Sequence, residues 1–442
     1  MRRLTAGLAA AIVLLGVEPA GAQQSLQVPI QFDFLNPGAR SLGMGSAFVA
    51  VADDATAAWT NPAGLVTLAR EVSVEGRYQG FQQPFLFAGR LSGLPTGLGE
   101  DILSNPDFID IDDSTVGLTF ASFVQPFKKA RIAFYRHELI NVDQGFNYRG
   151  VFQNQGFDTR DTAFSADRSM HIANYGLSVG WPWGPVRLGA GISAAKFSLG
   201  LDFARFAHES FRGAPDPSQV TFRFSQDGDA WSVGATVGAL VPLKGGTVIG
   251  AAYRLGPSFP FSSEARPTGG PEQTFSGDFK VPDVLALGVS TRPFKTHDEW
   301  LFAVEYKWVQ NSQIKHDYID VITSQGESAP RADHFTVADS NEIHVGAEYS
   351  LPVLGNPTVL GGFWYDPDHS VRYEPTSAGD LLDERMSVSL SSGTDLWHYT
   401  FGVGFAFSEL FEWKLGADLS SRSTVFSTSA IIRFKKAGST AP

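Results

Sequence analysis

The chain has 442 residues, a formal net charge of -12 and no cysteine, which excludes disulfides, thiolate metal sites, cysteine nucleophiles and a lipid attached through an N-terminal cysteine. The acidic balance argues against nucleic acid as a partner. Charged residues make up 18%, below the roughly 25% of ordinary soluble proteins, while Phe, Trp and Tyr reach 12%.

Residues 1–22 read MRRLTAGLAAAIVLLGVEPAGA, with Arg2 and Arg3 before an apolar run over 4–17 and small residues at Ala20, Gly21 and Ala22. This is the layout of a secretory signal peptide cut after Ala22, and its apolar run is too short to span a membrane. Its removal leaves 32 basic and 45 acidic side chains. Within 23–70, the stretch ADDATAAWTNPAGLV at 52–66 is written for a short helix: Asn61 is a good N-cap, Pro62 suits the first helical position, and 63–69 can complete a turn or two.

From residue 71 the period changes to two. In WLFAVEYKWV, Trp300, Phe302, Val304, Tyr306 and Trp308 share one face while Glu305 and Lys307 take the other; a helix would scatter those aromatics around its circumference. Tyr399, Phe401, Val403, Phe405 and Phe407 repeat the pattern against Thr400, Gly402, Gly404 and Ala406. Fourteen strands are predicted at 71–81, 115–125, 131–138, 170–181, 186–198, 230–241, 247–255, 282–292, 300–309, 342–351, 357–366, 397–407, 412–420 and 423–434.

Alternation alone suits a soluble sandwich as well as a membrane barrel. Connection lengths separate the two. Joins at 126–130, 182–185, 242–246, 293–299, 352–356 and 408–411 are tight, whereas 139–169, 199–229, 310–341 and 367–396 exceed the loops of compact soluble domains. Short turns at one end and long loops at the other are the asymmetry of an outer-membrane barrel, with the short turns on the periplasmic side. The predicted fold is therefore all-β: a transmembrane antiparallel barrel of about 14 strands over 71–434, with a signal peptide at 1–22 and a C-terminal extension at 435–442. A bore of that width is not filled by side chains alone, so 23–70 is expected to form a plug containing short helices.

The segment GARSLGMGSAFVAVADDATAAWTNPAGL, residues 38–65, resembles the N-terminal hatch of the FadL family of outer-membrane transporters for long-chain fatty acids and other hydrophobic compounds, including TodX-like aromatic hydrocarbon channels. The match lies in the Gly-rich run, the ADDA step at 52–55 and the triplet Asn61, Pro62, Ala63, which maps onto the family's hatch motif. Downstream segments such as VPDVLALGVSTRP and EIHVGAEYSLP carry the same look. The spelling GARSLGMGSAFVAVADD also resembles the related PorV/PorQ-like branch, whose members serve protein secretion or surface attachment.

The transporter resemblance implies capture of a hydrophobic ligand among outer loops, passage to an apolar pocket, hatch rearrangement and lateral escape into outer-membrane lipid, in a Gram-negative-type envelope and with no cofactor. A barrel working alone as a monomer meets that need; the alternative branch implies a secreted-protein partner. Candidate ligand contacts are Leu199, Phe203, Phe206 and Phe211, spaced to line one side of an amphipathic turn, and Phe259 and Phe261 in the following loop. The same side chains equally suit sealing the loops against the barrel mouth. Arg160 and Arg205 are candidates to pair with a ligand carboxylate, or stand solvated.

Enzyme motifs are weak. Gly176-Leu177-Ser178-Val179-Gly180 spells a nucleophile elbow, but inside an alternating strand rather than a strand-to-helix turn. Gly43-Met44-Gly45 lacks the third glycine of a dinucleotide loop. Asp107, Asp110, Asp112 and Asp113 crowd an expected outer loop and could collect calcium, yet without the glycine and distal glutamate of an EF-hand; a solvated acidic loop is the other reading. The nine histidines show no metal-ligand spacing.

Overall fold

The computed structural model describes residues 32–90, 101–148, 151–154, 158–161, 163–208, 215–265, 271–294, 299–314, 334–352, 357–374 and 393–434. The expected signal peptide, residues 23–31 and the 435–442 extension lie outside them.

Fourteen strands form the wall: β1 (Glu71–Arg90), β2 (Asp101–Phe127), β3 (Ala130–Tyr148), β4 (Ala163–Trp183), β5 (Val186–His208), β6 (Pro215–Pro242), β7 (Thr247–Leu255), β8 (Val284–Thr291), β9 (Trp300–Val309), β10 (Ser340–Ser350), β11 (Thr358–Asp366), β12 (Leu396–Ser408), β13 (Phe411–Leu419) and β14 (Ser423–Arg433). Each pairs antiparallel with its neighbours in sequence, and β14 returns to β1 with Glu71 opposite Arg433, so the sheet closes without an edge. The ends of the wall meet where the Phe434 amide donates to the Arg70 carbonyl at 2.9 Å. Tight turns use left-handed backbone, as at Gly184 (φ 60°) and Gly245 (φ 84°).

The wall is inside out relative to a soluble protein. On β9, Val304 is 51% exposed on the outer face while Glu305 and Lys307 are 1% and 2% exposed within the bore. Lipid takes the outer face; the polar side points inward. Exposed aromatics ring the tight-turn end at Phe127, Trp181, Trp183, Phe407 and Phe434, and the other end at Tyr175, Trp231 and Trp397.

Several expected loops are strand instead. β2 and β6 run 27 and 28 residues, far beyond the roughly 9–11 a barrel strand needs to cross lipid. Once two neighbours both continue, each supplies the other's backbone partners, so the ladder extends into the solvent beyond the membrane. Asp107, Asp110, Asp112 and Asp113 thus belong to β2 and pair with β1 rather than forming a loop; their side chains lie outside the described residues.

Residues 32–70 run through the bore. They form α1 (Ala39–Gly43), α2 (Ala57–Thr60) and a 3-10 turn (Pro62–Thr67), and the Asn61 side chain caps that turn by accepting from the Ala63 amide at 3.2 Å. Every strand of the ring touches this segment. Ser122 on β2, Ser178 on β4 and Ser290 on β8 donate to the carbonyls of Ala55, Ala58 and Ala50 at 2.9, 2.7 and 2.9 Å. On β14, Ser429 accepts from the Ala39 amide at 3.2 Å. Glycines on the inner face let backbone meet backbone: a Cβ on Gly250 would lie 2.6 Å from Ala50 Cα, and one on Gly346 would overlap the Met44 carbonyl.

Charged side chains of the wall complete the attachment. Glu305 accepts from the Phe48 and Val49 amides, both at 2.8 Å, and from Asn36 Nδ2 at 3.3 Å. Lys307 donates to the Phe34 carbonyl at 3.2 Å, and His344 Nδ1 lies 2.7 Å from the Gly45 carbonyl. Arg40 pairs with Glu348 at 3.0 Å and with Asp53; burial opposes its charge, but these carboxylates outweigh it and hold its pKa well above the ordinary value. Burial lifts the Asp33 carboxyl above its usual range even though Arg77 pairs with it.

Three substitutions at two positions test this attachment. Gly346→Val forces a side chain into the Met44 backbone and is expected to cost about 1–3 kcal/mol or more; limited proteolysis of the folded barrel should then cut within 32–68, where the parent chain resists. Glu305→Ala orphans two buried amides at about 1–3 kcal/mol each and should give the same new cleavage, with Glu305→Gln, which keeps an acceptor, closer to the parent chain. Equal protection in all four proteins contradicts the attachment.

Candidate ligand-binding site

The anchoring layer is polar, but the bore beside it is not. After β7 the chain makes a hairpin, Ser258–Ala265 with Gln273–Lys280, that joins the wall at β6. Its neck is tied by the Val281 amide on the Pro257 carbonyl at 2.9 Å, and by Asp283, which accepts from the Gly256 amide at 2.9 Å and Lys280 at 2.7 Å. That closure brings Phe259 and Phe279 against Phe197 of β5, with ring centroids 5.5 and 5.2 Å away. Phe32 and Phe34 of the leading segment stack 5.3 Å apart, and Phe32 reaches Phe279 at 6.1 Å. The result is one buried apolar cluster continuous with Trp59, Tyr135, Leu139 and Val281.

Of the residues expected here, Phe259 is fully buried in the cluster and Leu199 packs against it. Phe203 is buried on β5, on the inner face it shares with Phe197. Leu199 and Phe203 therefore lie on a strand, not an amphipathic helical turn; a spacing of four keeps residues on one face under either period, so the spacing did not discriminate. Arg160, Arg205, Phe206 and Phe261 have strand backbone, but their side chains lie outside the described residues, as does the whole of Phe211. Asn61, Pro62 and Ala63 face β5 and β6 from the leading segment, where Asn61 Nδ2 also donates to the Val49 carbonyl at 2.9 Å.

Sequence reasoning missed Phe32, Phe34, Trp59, Phe197, Phe279 and Arg254. The signal for Arg254 was present: in TVIGAAYRL it is a charge on the inward positions of an otherwise apolar strand. Its guanidinium lies over Trp59 at 4.1 Å, and Trp59 also stacks on His137 at 4.1 Å. A small cavity, with room for about one water, lies among Phe34, Trp59, Leu139, Asn174, Arg254 and Val281.

The wall loosens at two places beside this cluster. The ladder between β2 and β3 covers only Phe120–Phe127 against Ala130–His137; beyond it β2 continues with β1 and β3 with β4. A bulge falls at Leu139, whose carbonyl accepts from the Asp33 amide at 3.0 Å. A bulge bends its strand, and the β3–β4 ladder resumes beyond it at Ile140 opposite Ile172. Between β6 and β7 the ladder stops at Ala235 opposite Leu255, and Ser232 Oγ bonds the Ser258 carbonyl at 2.5 Å just beyond. Ser178 of the elbow-like pattern sits mid-strand, fully buried, with its hydroxyl committed to Ala58. Among the described residues no group of three or more His, Asp or Glu is placed to hold a metal ion.

No protein-family profile matches the sequence, and no curated protein matches it. Solved structures do. A FadL homologue from Pseudomonas aeruginosa aligns with a TM-score of 0.60 at 13% identity, over 92% of this chain and 99% of that one. The toluene transporter TbuX of Ralstonia pickettii aligns at 0.57 and 16%, over 91% and 100%, and the P. putida toluene transporter TodX at 0.54 and 14%, over 91% and 99%. The closed fourteen-stranded barrel of this chain has the fold of the FadL/TodX-type transporters.

Proposed function

We propose that this chain is a passive outer-membrane transporter of hydrophobic small molecules, long-chain fatty acids or aromatic hydrocarbons, exported by its 1–22 leader and acting as a monomer. The observation that carries the reading is an apolar cluster inside an otherwise polar bore, beside an interrupted ladder in the wall. A hydrophobe leaves water for that cluster at about 25 cal/mol per Å² of apolar surface buried. Residues 23–70, acting as a hatch, block the straight path along the axis. The exit is then sideways, between β2 and β3 above Phe120 and His137, directly into lipid. The apolar ligand moves down its gradient and needs no energy source. The fold shared with the toluene transporters supports this reading.

Phe32 and Phe34 belong to both the cluster and the leading segment, and Asp33 between them holds the Leu139 bulge and pairs with Arg77. A ligand that displaces either ring therefore pulls on the contact at the edge of the gap. The Gly-rich spelling of 38–54 also favours the secretion-type branch as a second reading.

Cells making this protein are expected to take up a labelled long-chain fatty acid or alkylbenzene faster than cells without it; equal uptake of every hydrophobe tried favours the secretion role. The exit has its own test. A Cβ on Gly117 of β2 would lie 3.1 Å from Asn141 Nδ2 of β3, across the gap, and the absence of native cysteine makes a Gly117→Cys, Asn141→Cys pair clean to read. Oxidising that pair should lower uptake at least several-fold, and reduction should restore it. Uptake indifferent to the bridge places the exit elsewhere.

A further inference from the structure

The tight-turn end of the barrel is charged unevenly. Arg70 precedes β1; Lys128, Lys129 and Arg131 lie at the β2–β3 turn, Arg187 at the β4–β5 turn and Lys244 at the β6–β7 turn. Among the described residues none of these six cations makes an ion pair, and the stretches 126–131, 182–187 and 241–247 contain no Asp or Glu. Arg131 donates to the carbonyls of Leu68 and Ala130 at 2.8 and 3.1 Å, which leaves its charge unanswered. The other half of the rim differs. There Glu299 shares the β8–β9 turn with Arg292, the β10–β11 turn is uncharged, and the β12–β13 turn carries the exposed Glu409. At the opposite end of the same strands, β3, β4 and β6 expose Asp143, Asp167, Asp227 and Asp229 beyond the ring of Tyr175 and Trp231. Charge is thus sorted along the barrel axis, with the cations gathered in one arc from β1 to β7.

Each turn of the arc sets an exposed apolar side chain beside a cation. Lys128 Nζ lies over the Phe127 ring at 5.7 Å, Trp183 stands opposite Val186 next to Arg187, and Leu243 precedes Lys244. An apolar side chain in hydrocarbon with a cation at its edge places that cation at head-group depth. Successive turns are two strands, about 10 Å, apart, so the arc offers a row of positive charge along the inner rim of the membrane. We propose that this arc is a binding surface for anionic phospholipid of the periplasmic leaflet, phosphatidylglycerol in chemistry, whose phosphate is taken by Lys128, Lys129, Arg187 and Lys244. A fixed cation near such a lipid surface is attracted without any bound partner of its own. A zwitterionic lipid brings its own cation, and the three turns have no carboxylate to receive it. A soluble acidic partner would meet the charges but not Phe127, Trp183 and Leu243, which face lipid. This surface is independent of what passes through the bore.

The test folds the protein into phosphatidylcholine bilayers carrying a trace of spin-labelled lipid, either phosphatidylglycerol or phosphatidylcholine, and reads the motionally restricted fraction of each by electron spin resonance. The parent protein should favour phosphatidylglycerol by about twofold, averaged over a perimeter of which the arc is only part, and added salt should reduce the preference because exposed charges are screened. Lys128→Gln, Lys129→Gln and Lys244→Gln combined should bring the ratio close to one, whereas Lys→Arg at the same three positions should keep it. Arg187→Gln alone should lower it. Heat-modifiable migration on a gel checks that each variant is folded, and if the combined Gln variant fails that check, Arg187→Gln carries the test. Equal restriction of both lipids by the parent protein, or a preference that the folded Gln variants retain in full, overturns the assignment.

Discussion

A backbone amide facing lipid has no water to turn to, so every one must be paired within the protein. In this chain the closed ladder from β1 to β14 meets that demand, and the other features follow from it. Alternation puts Trp300, Phe302 and Val304 against lipid and Glu305 and Lys307 into the bore. Fourteen strands make that bore wider than its own side chains can fill, and residues 32–70 occupy it. Their small side chains meet inner-face glycines such as Gly250 and Gly346 at backbone distance.

The way the segment is held differs from ordinary core packing. A large part of its attachment is polar: backbone amides on Glu305, carbonyls on Ser122, Ser178 and Ser290, and paired charges at Arg40 and Arg77. Buried ion pairs add little net stability because desolvation offsets their attraction, yet removing one partner is costly. Such contacts fix one register for the segment. The apolar contacts, by contrast, gather where Phe32 and Phe34 meet Phe197, Phe259 and Phe279. The segment's own rings fill that cluster, close to the end of the β2–β3 ladder at Phe120 and His137.

Much of this was legible in the sequence because strand period and membrane chemistry coincide. The fourteen strands, the tight turns and the 3-10 turn after Asn61 fall where alternation and capping placed them. Strand ends beyond the membrane did not, since a ladder extending into water carries polar residues on both faces and reads as loop; β2 and β6 show this. The site was legible only in part. Phe259 and Leu199, singled out as apolar excess, lie in or against the apolar cluster, but Phe32, Phe34 and Trp59 join them through a threading that no local pattern encodes. Arg254 was overlooked because a single inward charge on a short strand resembles the many others that are paired across the bore, and its lack of a carboxylate is a fact of three dimensions.

The central claim is that the leading segment closes the bore to water and ions while the wall admits a hydrophobe. Conductance across a planar bilayer tests it most directly, by comparing the intact barrel with one lacking residues 32–68. The account predicts almost no steady ion current through the intact protein and the large, stable conductance of a wide pore through the shortened one. A steady current of equal size through both would mean the bore is open with the segment in place, and would contradict it.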